Sequence, residues 1–265
     1  MEYKFDRDVH VERERNDCFV TDISSDWNIV APHGGYLMAI AANALLESTG
    51  FKFPLSMTAY YHRPTLPGKA VLLVDKVMEN KRLVTAKIAL LQNNIEVISF
   101  IGTFTGENAF KGLTIIQKQP VLPDPNTCIE YPRPQYPFFN QIKLCVPPAQ
   151  FSWVDGDRGR ETCFSGYFSF QDKRPLDGLA VLLLADASPP PVLRHTGPVQ
   201  WVPTIEMSVQ VRSIPSGTRL GFLSNTNFVT NGLTETDVEL WSEKGEIVAI
   251  GRQLAVIRKS IRSSE

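Results

Sequence analysis

Two copies of one pattern, an apolar helix followed by four strand-like runs, predict an α+β fold in which two antiparallel meanders share one continuous sheet around two central helices. Three observations carry this prediction. Tyr36, Leu37, Ile40, Ala41, Ala44 and Leu45 recur at helical spacing, so a first helix opens at His33-Gly34-Gly35 and buries a broad stripe. A second apolar stretch, 176–187, stands before another four strand-like runs. Placing Gly35 over Gly178 then brings Ala42 over Ala185, Asn43 over Asp186 and Ala44 over Ala187 without a gap.

In chain order, a charged start gives way to a strand at 18–23, followed by Trp27 and the helix entry through Pro32. The helix is expected to end at Thr49-Gly50, since glycine readily takes the left-handed conformation just past a C-terminal cap. Strands are expected over 55–63, 70–78, 83–91 and 96–104. Residues 120–148 hold eight of the nineteen prolines, and proline withholds an amide and extends its predecessor, so this stretch reads as a connection with little regular structure. Its Tyr131, Tyr136, Phe138 and Phe139 are expected to lie against the body. The organisation is thus a first repeat at 1–119, a linker at 120–148 and a second repeat at 149–265.

In the second repeat a strand at 162–170 precedes the helix, and strands follow over 205–212, 218–228, 234–241 and 246–257. Under the repeat alignment Arg63 and Gly68 fall on Arg212 and Gly217, and Glu96 on Glu246. Ile205, Met207, Val209 and Val211 alternate with Thr204, Glu206, Ser208 and Gln210, giving one helix-facing and one outward face. The same register would turn Ser56, Thr58, Tyr60 and His62 inward in the first repeat. Either these line a pocket or the alignment slips by one residue, and a slip is favoured because it restores the apolar positions to the core.

Composition bounds the function. With 265 residues, 43% hydrophobic, the chain can bury a large core, and 27 basic against 28 acidic residues provide no overall field for nucleic acid or an anionic membrane. The N-terminus carries charges where a signal peptide needs an apolar run, and no apolar segment is long enough to span a bilayer, so the expected location is cytoplasmic. The final Ile261-Arg-Ser-Ser-Glu265 shows no peroxisomal ending or prenylation box. Cys18, Cys128, Cys145 and Cys163 lack paired spacing and read as reduced thiols.

Asp186 is the only charge between Gly178 and Pro191 on an apolar helix, and an unpaired buried carboxylate costs several kcal/mol, so something must use it. The plain alternative is a structural cap or a partner for Arg194. Gln253 alternates onto the face of Ala255 and Ile257 and needs hydrogen-bond partners there. The Gly34-Gly35 helix start allows close approach to backbone amides at a positive dipole end, which can hold an oxyanion. No nucleophile elbow, Walker loop, dinucleotide fingerprint or zinc-protease motif is present, and His10, His33, His62 and His195 lack metal-like spacing, so no cofactor and no metal are expected.

The helix-plus-meander repeat, the His33-Gly34-Gly35 entry, the Ala185-Asp186 helix end, the strand start Pro203-Thr204-Ile205 and the last strand with Gly251-Arg252-Gln253 resemble the double-hotdog acyl-CoA thioesterases of the TesB type, across residues 17 to 258. The resemblance implies a double-hotdog fold and hydrolysis of an acyl thioester, in lipid or polyketide metabolism, by a water that Asp186, Thr204 and Gln253 position and activate. Thr204 has its weight from the resemblance alone. In related single-hotdog enzymes a helix-start glycine polarises the carbonyl and an acid eight positions along the partner's helix acts on water. Gly35 to Asn43 and Gly178 to Asp186 share that spacing, yet only the second copy keeps an acid, which implies one working site, with Gly34, Gly35 and His33 on the substrate side and Asn43 as a vestige. A lyase or cyclase on the same scaffold and a non-catalytic acyl-binding module remain open, as does His33 as the acid or base of a dehydratase. A homodimer is compatible with the sequence.

Overall fold

The computed structural model describes residues 2–106, 110–131, 135–155, 159, 161–197 and 200–259. In the first half, α1 (Lys4–Asp8), β1 (Glu12–Arg15) and β2 (Cys18–Ile23) lead into the long helix α2 (Gly34–Thr49), which β3 (Phe53–Tyr61), β4 (Gly68–Glu79), β5 (Leu83–Gln92) and β6 (Ile95–Thr105) follow. The second half begins with β7 (Ile129–Glu130), β8 (Ile142–Val146) and β9 (Cys163–Phe170), then the helices α3 (Gly178–Ala185) and α4 (Leu193–Thr196). It continues with β10 (Gln200–Trp201), β11 (Thr204–Val211), β12 (Arg219–Asn225), β13 (Val229–Thr230), β14 (Leu233–Trp241), β15 (Ile247–Val256) and β16 (Arg258–Lys259).

One sheet runs through both halves in the order β1-β2-β4-β5-β6-β3-β11-β15-β14-β12-β9-β8-β7, with β13 added on β14, while β10 and β16 pair separately. The predicted α+β arrangement, two meanders sharing one sheet, is met. The seam is the antiparallel pair β3 and β11, where Met57 opposes Val209 and Ala59 opposes Met207. All four are buried. The slip in the repeat alignment was therefore real: Met57 and Ala59 face the helices, and Tyr60 is half exposed on the other face. Thr58 and Ser208 share a hydrogen bond of 2.9 Å across the outer side of the seam.

The sheet wraps α2 and α3, which pack on each other in the core. Alanines at 39, 41, 42 and 44 keep α2 narrow, and its residues from Gly35 to Ala42 are buried all round, as expected of a helix enclosed by sheet. It ends at Gly50 with φ 74°, the left-handed cap expected there. α3 is shorter than predicted. Asp177 caps its start by accepting from the Ala180 amide, and Asp186 is the residue at its C-cap instead of lying inside the helix.

Several short elements were missed, of which two matter for packing. α1 docks on the second half, with Phe5 against Phe170 at 5.1 Å and Asp6 on the buried Arg174 guanidinium, which also holds Asp177. Residues 142–146, assigned above to the proline-rich linker, form β8 on the outer side of β9, because Ile142, Leu144 and Val146 alternate into the core. The linker aromatics do lie against the body: Tyr131, Phe138 and Phe139 are buried and Tyr136 partly so. Pro132 and Pro134, and the C-terminal 261–265, fall outside the described residues. Among the described residues no helix is long and apolar enough to cross a membrane.

Separating the halves would open β3 and β11 as bare edges and strip α1 from its site. Fragments 1–119 and 120–265, expressed apart, are expected to be insoluble or to associate on mixing, read by light scattering and melting curves. Two soluble fragments that melt cooperatively and ignore each other would contradict the shared core.

Candidate functional site

The site forms where the C-terminal end of α3 meets the N-terminal end of α2. The first amides of a helix have no intrahelical partner and lie at its positive dipole end. Here the Gly35 amide donates to Asp186 Oδ2 at 2.8 Å. The His33 ring at the N-cap of α2 makes no cap bond to its own helix and instead reaches the backbone carbonyl of Asp186 through Nε2 at 3.1 Å. A carbonyl only accepts, so Nε2 carries the proton and Nδ1, buried without a partner among the described residues, is bare. Phe138 from the linker stacks on this ring at 4.1 Å.

Gln253 comes from β15 and Thr204 from the first position of β11. Gln253 Nε2 donates to Asp186 Oδ1 at 2.9 Å and to Thr204 Oγ1 at 2.8 Å. Simple alternation would have turned Thr204 outward with Glu206 and Ser208. A bulge between Thr204 and Glu206 reverses it, setting Thr204 opposite Ala255 on the inner face and pushing Ile205 out to 38% exposure. The expectation that Ile205 faces the helices is corrected by this bulge. Of the three residues assigned by resemblance, Gln253 thus hydrogen-bonds both of the others. Asp186 does not pair with Arg194, which bonds Glu161 and the Cys163 carbonyl. Asn43, the counterpart of Asp186, bonds the Val9 carbonyl and is structural.

Electrostatics follow from burial. Loss of water raises the Asp186 carboxyl above its ordinary 3.8, while His33, the Gly35 amide and Gln253 pull the other way and only partly compensate. Desolvation also lowers the His33 pKa below its usual 6.5, against the pull of Asp186 Oδ2 at 3.7 Å. The contact geometry resembles an ion pair, but burial dominates, so the ring stays neutral and orients the Asp186 turn.

The glycines have separate duties. A Cβ on Gly35 would lie 2.6 Å from the Leu183 carbonyl oxygen, so Gly35 is where the two helices touch. The Gly35 amide, expected to face an oxyanion, here donates to Asp186 Oδ2. A Cβ on Gly34 would lie 2.7 Å from Tyr61 Oη and 2.8 Å from Asp186 Oδ2, so both oxygens pack closely against the bare Gly34 backbone. Tyr61 was passed over in the sequence. Once the β3 register is right, it follows Met57 and Ala59 on the inner face, and that alternation was the signal.

Beside Asp186 and Gln253, also lined by Met207, Ser188 and Thr236, lies a crevice of about 10 Å³. That is near the lower limit for one water molecule. A larger depression of about 420 Å³ lies on the outer sheet face by Tyr60, Lys87 and Ile101 and includes none of these residues. Among the described residues no three His, Cys, Asp or Glu side chains converge as a metal site requires.

Residues 120–257 match the acyl-CoA thioesterase C-terminal domain and residues 23–105 the N-terminal domain of that family. A Thermobifida fusca structure provisionally assigned as a thioesterase II aligns with TM-score 0.88 at 24% identity, covering 97% of this chain and 98% of that one. A hot dog fold protein of unknown function from Alicyclobacillus acidocaldarius gives 0.87 at 19%, with 98% and 100% covered. The acyl-CoA thioesterase II TesB2 of Mycobacterium marinum gives 0.78 at 15%, with 96% and 98% covered. At such identities the likeness to these structures establishes the double-hotdog fold alone. No curated protein matches the chain by sequence.

Because a side chain at position 35 would strike backbone, Gly35→Ala is expected to cost about 1–3 kcal/mol of stability in denaturant unfolding. An unchanged stability with lost turnover would return Gly35 to a purely catalytic role.

Proposed function

Because the chain belongs to the acyl-CoA thioesterase family, we propose that this thioester hydrolase cleaves an acyl-CoA or related acyl thioester with a water activated by Asp186 and held by Thr204 and Gln253. The observation that carries the reading is the chain of two hydrogen bonds from Gln253 Nε2 to Asp186 Oδ1 and to Thr204 Oγ1. Both protons of that amide nitrogen are engaged, so Thr204 accepts and its own hydroxyl proton is left to donate to a water oxygen. The same water can donate to Asp186, whose raised pKa brings it closer to neutrality as a proton acceptor.

The step balances simply. Water oxygen attacks the thioester carbonyl carbon as Asp186 takes its proton. The tetrahedral intermediate then expels the thiolate, which receives that proton, leaving a carboxylic acid and a free thiol. His33, neutral and bonded to the Asp186 backbone, keeps the carboxylate aimed and does not serve as the dehydratase acid. We place the enzyme in the cytoplasm, with a small acyl thioester and no nucleic acid or membrane as partner. The near balance of charge supports the absence of a nucleic-acid or anionic-membrane partner.

Asp186→Asn is not neutral for hydrogen bonding, because both carboxylate oxygens accept from donors and an amide can satisfy only one of them. Its turnover, and that of Asp186→Ala, is expected to fall about 10² to 10⁴-fold in a free-thiol assay across acyl-CoA lengths. Gln253→Ala should also fall, and the double variant should fall much less than the product of the singles, since both serve one water. Melting curves on each variant separate this from unfolding. A wild type that releases no thiol from any acyl thioester, yet rearranges one in an Asp186-dependent way, would replace hydrolysis with a lyase or cyclase reaction.

A further inference from the structure

With the Gly35 amide held by Asp186, the oxyanion needs another donor, and one polar group at the site has no assigned duty. The Tyr61 hydroxyl is buried and has no hydrogen-bond partner among the described residues. Buried hydroxyls are nearly always paired, and an exception at a site calls for an explanation. The ring ends β3 on the inner face, and its hydroxyl packs against the Gly34 backbone beside Asp186 Oδ2. Both oxygens crowd the same point of Gly34, yet they do not bond each other. The Gly34 amide, first of α2, likewise has no hydrogen bond among the described residues.

We propose that Tyr61 is a catalytic residue of this enzyme, its hydroxyl donating to the thioester carbonyl oxygen beside Asp186 and stabilising the oxyanion that forms there. The inference rests on the proposed hydrolysis at Asp186. It assigns the two oxygens of the carboxylate to two sides: Oδ1, with Gln253 and Thr204, faces the attacking water, and Oδ2, with the Gly35 amide, borders the carbonyl. When water attacks, the carbonyl π pair moves onto oxygen and the hydrogen bond from Tyr61 shortens. The pair returns as the carbon–sulfur bond breaks, and Tyr61 keeps its proton throughout. Burial foremost, then the charges of Asp186 and Glu206, raise its pKa well above 10, so it stays a donor across the working pH range. A neutral donor suits this place, because a cation there would pair with Asp186 and remove the base.

The test compares wild type with Tyr61→Phe, which deletes only an unpartnered hydroxyl. Turnover should fall about 10²-fold, the scale for one oxyanion donor, with KM and thermal midpoint nearly unchanged or the midpoint raised. A second readout does not depend on hydrolysis: binding of an acyl-CoA ketone, with methylene for sulfur and the carbonyl kept, against an acyl-CoA thioether lacking the carbonyl. Wild type should prefer the ketone and Tyr61→Phe should lose that preference. Equal preference in both proteins, or a Phe variant with full turnover, would overturn the assignment. So would a variant that melts lower while still preferring the ketone, since Tyr61 would then be structural. If wild type hydrolyses no thioester, the hydrolytic reading fails, and the two analogues still decide whether Tyr61 grips a carbonyl.

Discussion

A single carboxylate, Asp186, is held between the ends of two buried helices, and the site depends on that placement. Removing it from water costs several kcal/mol. The Gly35 amide at 2.8 Å and the Gln253 amide at 2.9 Å each return roughly 1.5–3 kcal/mol as bonds to a charged group, with the α2 dipole adding to them. The carboxyl nevertheless titrates above 3.8, so desolvation outweighs the bonds. By linkage, a raised folded pKa gives stability that is fully present below 3.8 and lost as pH rises through the folded value. At neutral pH the ionised Asp186 is therefore a net cost to folding, carried by the surrounding core.

The duplicated architecture supplies what the carboxylate needs from different places. α3 brings Asp186, α2 brings the Gly35 amide and the His33 ring, and the first and last strands of the second meander, β11 and β15, bring Thr204 and Gln253. None of this assembles unless β3 and β11 close the seam, because α2 and α3 belong to different halves. The proline-rich connection contributes more than length. Its Phe138 stacks on His33, fixing the ring that orients the Asp186 turn.

Much of this was legible from residues. The 3.6-residue spacing from Tyr36 to Leu45 marked α2, Gly50 marked its end, and the lone acid of an apolar helix marked Asp186. The repeat marked the shared sheet. What was not legible has a local cause in each case. The bulge between Thr204 and Glu206 breaks alternation at Ile205, a residue that fits a regular strand, so Thr204 had to come from a family resemblance. β8 was masked by the prolines around it, and α1 is too short for a period to show. Tyr61 was hidden by a one-residue slip, which transfers every side chain to the opposite face.

Carbon-detected NMR titration of the aspartate side-chain carboxyls, with Asp186 assigned by substitution, reads the state of this group directly. The Asp186 carboxyl should titrate above 3.8 in the folded protein and still higher in Gln253→Leu, which removes the donor to Oδ1. A titration at or below 3.8, or one that Gln253→Leu leaves in place, would contradict a desolvated carboxylate held by these two amides.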